Sequence, residues 1–214
     1  MLTHHLLKVK GRRCSKFIDN SGITNSQTVT IPVTASAGDI AVLTDEAKDT
    51  FSTPGAVTPS GWTAIQTSVA SNNGRVCMSW KLLSASDPGA TVSGMGKPTF
   101  GGCTKIITVY RIYNGKGAPS IVDTAAEATS GNPAAQTVNA SSYGYGSITM
   151  GFTRGDNNNG AFSSGDFDAT VQAAPEHACV VGYKLNNTTT NDNVIDSNDT
   201  GTPTVLASWL IIDQ

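Results

Sequence analysis

The sequence predicts an all-β protein, an antiparallel β-sandwich with a jelly-roll-like arrangement of about 10–12 strands. Charged residues make up only 14% of the 214-residue chain, and the polarity comes mainly from Thr, Ser and Asn. Short runs of alternating apolar and polar residues recur, separated by clusters of Gly, Asn, Asp and Pro. No segment sustains the 3.6-residue apolar period of an amphipathic helix. Together these observations favour strands joined by turns.

The strand pattern can be followed in chain order. In the first half it covers Gln27–Val33, Gly38–Thr44, Gly61–Val69, Gly74–Leu83, Ala90–Gly94 and Thr104–Tyr113. In the second half it covers Ala134–Ala140, Gly146–Asp156, Ala169–Ala174, His177–Asn186 and Thr204–Asp213. The Asn72-Asn73-Gly74 sequence is a strong hairpin signal. Val122–Ser130 is short and runs into Gly-Asn-Pro, so we expect an extended segment or one loose turn there.

The two halves of the chain resemble each other. GDIAVL, which begins at Gly38, is echoed by GSITMGF from Gly146, and RVCMSWKLL from Arg75 is echoed by ACVVGYKLN from Ala178. Either a duplication or the common pattern of two facing sheets explains these echoes, and we favour the second. No Pro-rich or charged linker separates the halves. We therefore predict an N-terminal arm, residues 1–15, followed by a single domain, residues 16–214.

Three tryptophans stand in strands or at their starts: Trp62, Trp80 and Trp209. Large aromatic rings dominate core burial, so we expect all three to fill the gap between two sheets. Trp62 follows a Pro-Ser-Gly turn and is predicted to close one end of the sandwich. The functional alternative is that Trp62 forms a stacking platform for a sugar.

The sequence contains no convincing catalytic constellation, and the prediction is that the protein is not an enzyme and needs no cofactor. His4 and His5 lie in the arm, His177 stands alone, and no GxSxG motif is present. Acidic pairs could serve as the acid and base of a glycosidase. Most of the candidates fall in loop-like stretches, which favours solvated turns: Asp45, Glu46, Asp49, Asp156, Asp166, Asp168 and Glu176.

Metal binding has little support in the sequence. The four cysteines are widely spaced, without the paired ligands of a zinc site, and we expect free thiols. The stretches GDNNNG at residues 155–160 and DSNDTG at residues 196–201 offer oxygen ligands for Ca²⁺, but the same residues suit tight turns. Whether these loops bind an ion stays open, and no metal site is predicted.

The charge pattern limits the partners. The formal net charge is −2, and the one basic cluster is KVKGRR, at Lys8–Arg13. Without a basic stripe, nucleic acid is not an expected partner. No apolar run approaches the roughly 18 residues of a membrane span, and the N-terminal sequence lacks the apolar core of a secretion signal. We expect a soluble protein that is made in a cytoplasm.

Four motifs in the first half resemble those of structural proteins encoded by tailed bacteriophages. In that group an AGD turn opens a central strand, a P-x-GWT turn follows a variable loop, a Lys-to-Asp strand end comes next, and a YR strand closes the half. The matching positions are Ala37–Asp39, Pro59–Thr63, Lys81 with Asp87, and Tyr110-Arg111. The resemblance spans about residues 27–113 and is looser towards the C-terminus. The expected YRG is YRIY here, and residues 1–13 fall outside the pattern.

The resemblance implies a non-enzymatic virion protein, made in the host cytoplasm, that decorates or cements the capsid or attaches to the tail. Its partners would be other virion proteins and further copies of itself. The residues predicted to dock on a neighbour are Lys8, Lys10, Arg12 and Arg13. The predicted exposed loops are Asp45–Pro59, Gly94–Gly102 and Asp156–Asp168. Head or tail location, copy number and symmetry stay open.

The alternative is a carbohydrate-binding adhesin that attaches to a glycan on the host surface. In that case Trp62, Tyr143 and Tyr145 would stack on the sugar, and Asn157–Asn159 would supply hydrogen bonds. Stacking of aromatic faces on apolar sugar faces is the physical basis of this interpretation.

Overall fold

A computed structural model describes residues 13–48, 58–70, 74–95, 103–115, 118–129, 134–155, 162, 167–172, 178–188, 191–195 and 204–213. Within these ranges the chain is built from antiparallel strands and one short 3-10 turn, Ala140–Ser142. The prediction of an all-β antiparallel sandwich is therefore confirmed.

The described residues form fourteen strands. Those of the first half are β1 Cys14–Asn20, β2 Val29–Thr30, β3 Ile40–Lys48, β4 Thr63–Ala70, β5 Gly74–Leu82, β6 Thr91–Val92 and β7 Cys103–Tyr113. Those of the second half are β8 Pro119–Thr129, β9 Gln136–Val138, β10 Ser147–Gly155, β11 Ala169–Gln172, β12 Ala178–Asn186, β13 Asn193–Ile195 and β14 Thr204–Asp213.

Each half of the chain forms its own five-stranded sheet. The first sheet has the order β1-β7-β3-β5-β4, and the second has the order β8-β14-β10-β12-β11. Two short ribbons, β2–β6 and β9–β13, complete the set. Adding seven to each strand number of the first sheet gives the strand order of the second sheet, so the two halves have the same topology. The finer jelly-roll description is not confirmed by this strand order.

The register also matches between the halves. Ile40 of β3 lies opposite Leu82 of β5, and Ile148 of β10 lies opposite Leu185 of β12. The sequence echo WKL at residues 80–82 and YKL at residues 183–185 therefore occupies equivalent positions. Agreement in strand order and in register supports duplication, the explanation that the sequence alone did not favour.

The turn before the third strand of each half is equivalent too. Gly38 has φ +87° and donates its N–H to the Leu83 carbonyl at 2.8 Å. Gly146 has φ +82° and donates its N–H to the Asn186 carbonyl, also at 2.8 Å. Only glycine adopts such a φ without steric cost, so both repeats need it at this turn.

The largest apolar cluster lies between the two sheets and is called the central core. It joins alternate residues of both sheets: Ile40, Val42, Val76, Met78, Ile106, Tyr110, Ile148, Met150, Phe152, Val181, Trp209 and Ile211. Successive strand residues point to opposite faces. The face away from the central core is therefore available to a second layer in each half.

In the first half, that second layer is an apolar outer core. Ala41, Leu43, Ile107 and Val109 of the sheet pack beneath Val29, Ile31 and Val92 of the β2–β6 segment, together with Ala35, Leu83 and Met95. The first sheet is thus covered on both faces. Strands buried on both faces are expected to contain continuous apolar runs, as β3 does over its first four residues, Ile40 to Leu43.

The outer layer of the second half has a different composition. Val138 and Ala140 are buried there with the rings of Phe162 and Phe167. Gly151 lies opposite Gly182, and a Cβ built on either residue would approach the Phe167 ring to 2.4–2.5 Å. The Phe167 ring therefore occupies a hollow that two facing glycines create.

The tryptophan prediction is correct for two of the three rings. Trp209 is fully buried in the central core, and Trp80 packs against the same cluster. Trp62 packs against the outer core of the first half, so the prediction that it closes the gap between the sheets is wrong. The turn before it sets this position, since Gly61 has φ +78° and Trp62 donates its N–H to the Pro59 carbonyl.

Several boundaries differ from the sequence prediction. β1 starts at Cys14, two residues inside the segment assigned to the arm. β8 is a full strand, which agrees with the extended alternative expected for residues 122–130. β3 continues to Lys48. Asp45 and Glu46 are therefore fully buried strand residues, and their assignment to a solvated loop is wrong.

We predict that the two equivalent turn glycines differ in their tolerance of a methyl group. Gly38→Ala should lower the free energy of unfolding by about 1–2 kcal/mol, because positive φ is strained for an L residue. A Cβ at Gly146 would also lie 2.9 Å from the Arg13 carbonyl carbon and 3.0 Å from the Cys14 nitrogen, whereas one at Gly38 meets nothing. Gly146→Ala should therefore cost roughly a further 1–3 kcal/mol. Urea denaturation of both variants measures this, and equal losses would contradict it.

Candidate functional site

The motifs of the first half are joined by ion pairs. Asp39 of the AGD turn accepts two hydrogen bonds from Arg111 of the YR strand, at 2.5 Å from Nε and 2.7 Å from Nη2. Asp39 also accepts the Ser36 N–H at 2.8 Å. The Asp39 side chain is 1% exposed and that of Arg111 is 32% exposed. This bidentate pair fixes the AGD turn to β7, the strand of the sheet that comes last in the chain.

The hydrogen bond to Asp39, with the nearby carboxylate charge, raises the pKa of Arg111 above its ordinary value despite partial burial. The guanidinium thus stays charged, and it is held against the protein. Its role here is to fasten β7 to the turn before β3.

The second pair closes the loop after β5. Lys81 Nζ lies 2.5 Å from Asp87 Oδ1, with side chains 29% and 10% exposed. Asp87 also accepts the Ser84 N–H and hydroxyl, both at 2.7 Å. Burial acts to raise the pKa of Asp87, but the hydrogen bonds from Lys81 and Ser84 outweigh it and leave that pKa below its ordinary value.

A third pair lies deeper on the same face of the sheet. Asp45 of β3 lies directly opposite Lys105 of β7, with Nζ 2.5 Å from Oδ1 and both side chains fully buried. Between this pair and Asp39–Arg111, the same face carries two apolar cross-strand pairs, Ala41 with Val109 and Leu43 with Ile107. No sequence signal identified the pair, because its two members are 60 residues apart.

The predicted docking set is only partly visible. Lys8, Lys10 and Arg12 lie outside the described residues. Arg13 donates from Nε to the Tyr145 carbonyl at 2.7 Å and from Nη2 to the Tyr143 carbonyl at 2.6 Å. Arg13 therefore tethers the start of β1 to the turn before β10.

A second contact reinforces this tether. Asn187, which follows β12, accepts the Ser15 N–H at 2.7 Å and donates its side-chain amide to the Ser15 carbonyl at 2.7 Å. An asparagine side chain thus pairs with the first sheet as a neighbouring strand would. The beginning of β1 is bound to the second half at both Arg13 and Ser15.

The aromatic residues proposed for sugar stacking do not share a surface. Trp62 belongs to the outer core of the first half, whereas Tyr143 packs in the outer layer of the second half, next to Val122. Tyr143 also donates its hydroxyl to the Val122 carbonyl at 3.5 Å. Tyr145 is 38% exposed beside Arg13. Trp62 and Tyr143 therefore pack in different layers of the sandwich, and Asn157–Asn159 lie outside the described residues.

The outer layer of the second half contains a cluster of buried, hydrogen-bonded polar side chains. Asn186 donates its amide to Ser147 Oγ at 3.1 Å and to Thr149 Oγ1 at 3.0 Å. Asn193 of β13 donates to Thr149 Oγ1 and to Asn186 Oδ1. These buried hydrogen bonds hold the β9–β13 ribbon on the sheet, as Val29 and Val92 hold the ribbon of the first half.

Two tyrosines of the second and first sheets have raised pKa values. Burial raises the pKa of Tyr110, and burial with a smaller effect from Asp168 raises that of Tyr183. Both tyrosines belong to an aromatic group with Phe17, in which Phe17 and Tyr183 stack at 4.6 Å between centroids. Tyr110 is fully buried, which indicates a structural role.

Metal and membrane features were sought in the part of the chain that the structure describes. It holds no group of three or more His, Cys, Asp or Glu residues that could bind a metal ion. It also holds no helix with the length and apolar character needed to cross a membrane. His4, His5, His177 and most of the two predicted Ca²⁺ loops fall outside the described ranges. Cys14 and Cys77 are reduced cysteines, and Cys77 is buried.

Comparison of the chain with protein-family models, with curated proteins and with solved structures finds no match.

We predict that the two motif ion pairs differ in their contribution to stability. Asp39→Asn should lower the free energy of unfolding by about 2 kcal/mol, because it weakens two charge-assisted hydrogen bonds to a buried carboxylate. Asp87→Asn should cost about 1 kcal/mol or less, since Lys81 can turn to solvent. Urea denaturation at neutral pH measures both, and an Asp87→Asn loss as large as that of Asp39→Asn would argue against this ranking.

The Asp87 pair should also give a defined pH dependence. The pKa of Asp87 is below its ordinary value of 3.8 in the folded state. Its stabilising contribution is therefore present above that value and is lost as the pH falls through the lowered pKa. The stability difference between wild type and Asp87→Asn should shrink as the pH is lowered from neutral through this range. A difference that grows in acid would contradict the assignment.

Proposed function

We propose that the chain is a non-enzymatic structural protein of a bacteriophage virion, located on the capsid or tail surface. The observation that supports this proposal most directly is the use of the shared motifs. Asp39 of AGD holds Arg111 of YR, and Lys81 holds Asp87 of the strand end. One ion pair thus joins the AGD and YR motifs, and a second closes the Lys-to-Asp strand end within its own motif.

The covering of the sheets supports the same proposal. The central core and the outer core bury both faces of the first sheet, and the second sheet has the central core on one face and the β9–β13 ribbon on the other. A protein with covered sheets is suited to stabilise a particle through its loops and arm rather than through a cleft. The proposed partners are other virion proteins and further copies of this chain.

The proposed docking element is the basic arm, with Lys8, Lys10 and Arg12 as its contact residues. Arg13 is not included among the proposed contact residues, because its guanidinium donates hydrogen bonds to the Tyr143 and Tyr145 carbonyls. Charge reversal at the three arm positions therefore tests docking without removing the Arg13 tether. Lys16→Glu serves as the control, since Lys16 is an exposed residue of β1.

The test is to purify phage particles from infected cells that express this chain and to quantify it by mass spectrometry. The proposal expects the chain as a stoichiometric particle component. The Lys8→Glu, Lys10→Glu, Arg12→Glu triple variant should be incorporated at least tenfold less, and Lys16→Glu should be incorporated normally. A chain that is abundant in the lysate and absent from the particles would refute the proposal.

The adhesin alternative predicts a different result. Of the three rings that the adhesin interpretation proposes for sugar stacking, Tyr145 is the exposed one, and it lies beside Arg13. Binding to a glycan array that Tyr145→Ala abolishes, with unchanged thermal unfolding, would support it. Tyr145→Ala is a cleaner probe than Trp62→Ala, which would also open the outer core of the first half.

A further inference from the structure

The buried pair Asp45–Lys105 has no role in the proposed function, yet its surroundings are unusual for two charges. Both side chains are 0% exposed. On the same face, Leu43 and Ile107 form the adjacent cross-strand pair, and both are fully buried. Cys77 lies opposite Asp45 on the other side and is buried with Ala47. An ammonium and a carboxylate are therefore held together out of contact with solvent, next to the apolar Leu43–Ile107 pair.

Such a pair is costly in its ionised form. Desolvation of two buried charges can exceed their mutual attraction, and buried ionisable groups tend to become neutral. Transfer of one proton from Lys105 Nζ to Asp45 Oδ1, across their 2.5 Å contact, produces a neutral amine beside a neutral carboxylic acid. These two groups are the reactants of amide condensation.

The geometry places the reacting atoms close together. Cγ of Asp45 is bonded to the oxygen that Nζ contacts, so Nζ can lie no farther than about 3.7 Å from Cγ. Near-attack arrangements have separations of about 3–3.5 Å. Because β3 and β7 are hydrogen-bonded neighbours in the middle of the sheet, both side chains are also held by their strands. Such positioning replaces a bimolecular encounter with an intramolecular one.

We infer that Lys105 and Asp45 form an intramolecular isopeptide bond, which makes this position a self-modification site. The amine lone pair attacks Cγ, and a new N–C bond forms. A second proton moves from nitrogen to the departing hydroxyl oxygen, the C–O bond breaks, and one water leaves. Both hydrogens of that water come from the ammonium, so no oxidant, reductant or added cofactor takes part. The product replaces two buried charges with one neutral amide.

The chain contains its own control for this chemistry. Lys81 and Asp87 have the same two functional groups at the same 2.5 Å separation, but their side chains are 29% and 10% exposed. Lys81 keeps access to solvent, and Asp87 also accepts two hydrogen bonds from Ser84, so the ionised pair is stable and condensation is not expected. If proximity alone caused the reaction, both pairs would react.

The test is the intact mass of the purified, denatured and reduced full chain after incubation of the folded protein. The wild type should be lighter than the mass calculated from its sequence by one water molecule. Tandem mass spectrometry of a tryptic digest should recover a branched peptide that joins residues 45 and 105. Peptides containing Lys81 and Asp87 should be recovered without a cross-link.

Two variants sharpen the assignment. Lys105→Arg should have its full calculated mass, since a guanidinium stays charged and does not condense. Asp45→Asn should lose ammonia instead of water if the amide still reacts. The intact mass and the mapped cross-link of the wild type test the isopeptide bond even if a variant fails to fold. Wild type at its full calculated mass, or a cross-link mapped to any other pair, overturns the inference. The outcome does not depend on whether the chain is a virion protein.

Discussion

The structure depends on the position of β3 at the centre of the first sheet. Its residues alternate between two apolar layers, with Ile40 and Val42 in the central core and Ala41 and Leu43 in the outer core. A strand in this position cannot shift its register by one residue without exchanging both layers. Asp39 and Asp45 lie on the outer face at either side of that apolar stretch, and each contacts a basic residue of β7. The two ion pairs therefore fix the register from both ends.

The second half repeats this plan with different chemistry. The Gly146 turn and the Ile148 register match those of Gly38 and Ile40, but Ser147 replaces Asp39, and the outer layer is built from buried amides and Phe167. The two outer layers lie on opposite sides of the shared central core. Residues of one outer layer can therefore change without altering the contacts between the two sheets. The conserved geometry is therefore at the turns and the central face, and the divergence is in the outer layers.

Most of the strands and turns could be predicted from the sequence, because local residue patterns specify them. Gly turns and strand alternation were evident, and Trp80 and Trp209 lie at the central core as predicted. β1 was missed since CSKFIDN is partly charged. For β8 the prediction was left between an extended segment and a loose turn, since AAEAT is rich in Ala and Glu, which have low strand propensity. Pairing with β7 and β14 overrides that propensity. The pairs Asp39–Arg111 and Asp45–Lys105 join residues 72 and 60 positions apart, and no local pattern specifies such partners.

The assignment of one sheet to each half has a consequence for synthesis on the ribosome. All strands of the first sheet have been translated by Tyr113, before any strand of the second exists. That sheet can form early, but the face that carries Ile40, Val42 and Met78 has no cover until β10 and β14 emerge. During that interval the nascent chain exposes a broad apolar surface, which is open to a chaperone or to the same surface of a neighbouring nascent chain. The rate at which the last hundred residues are translated therefore determines how long the protein is at risk of aggregation.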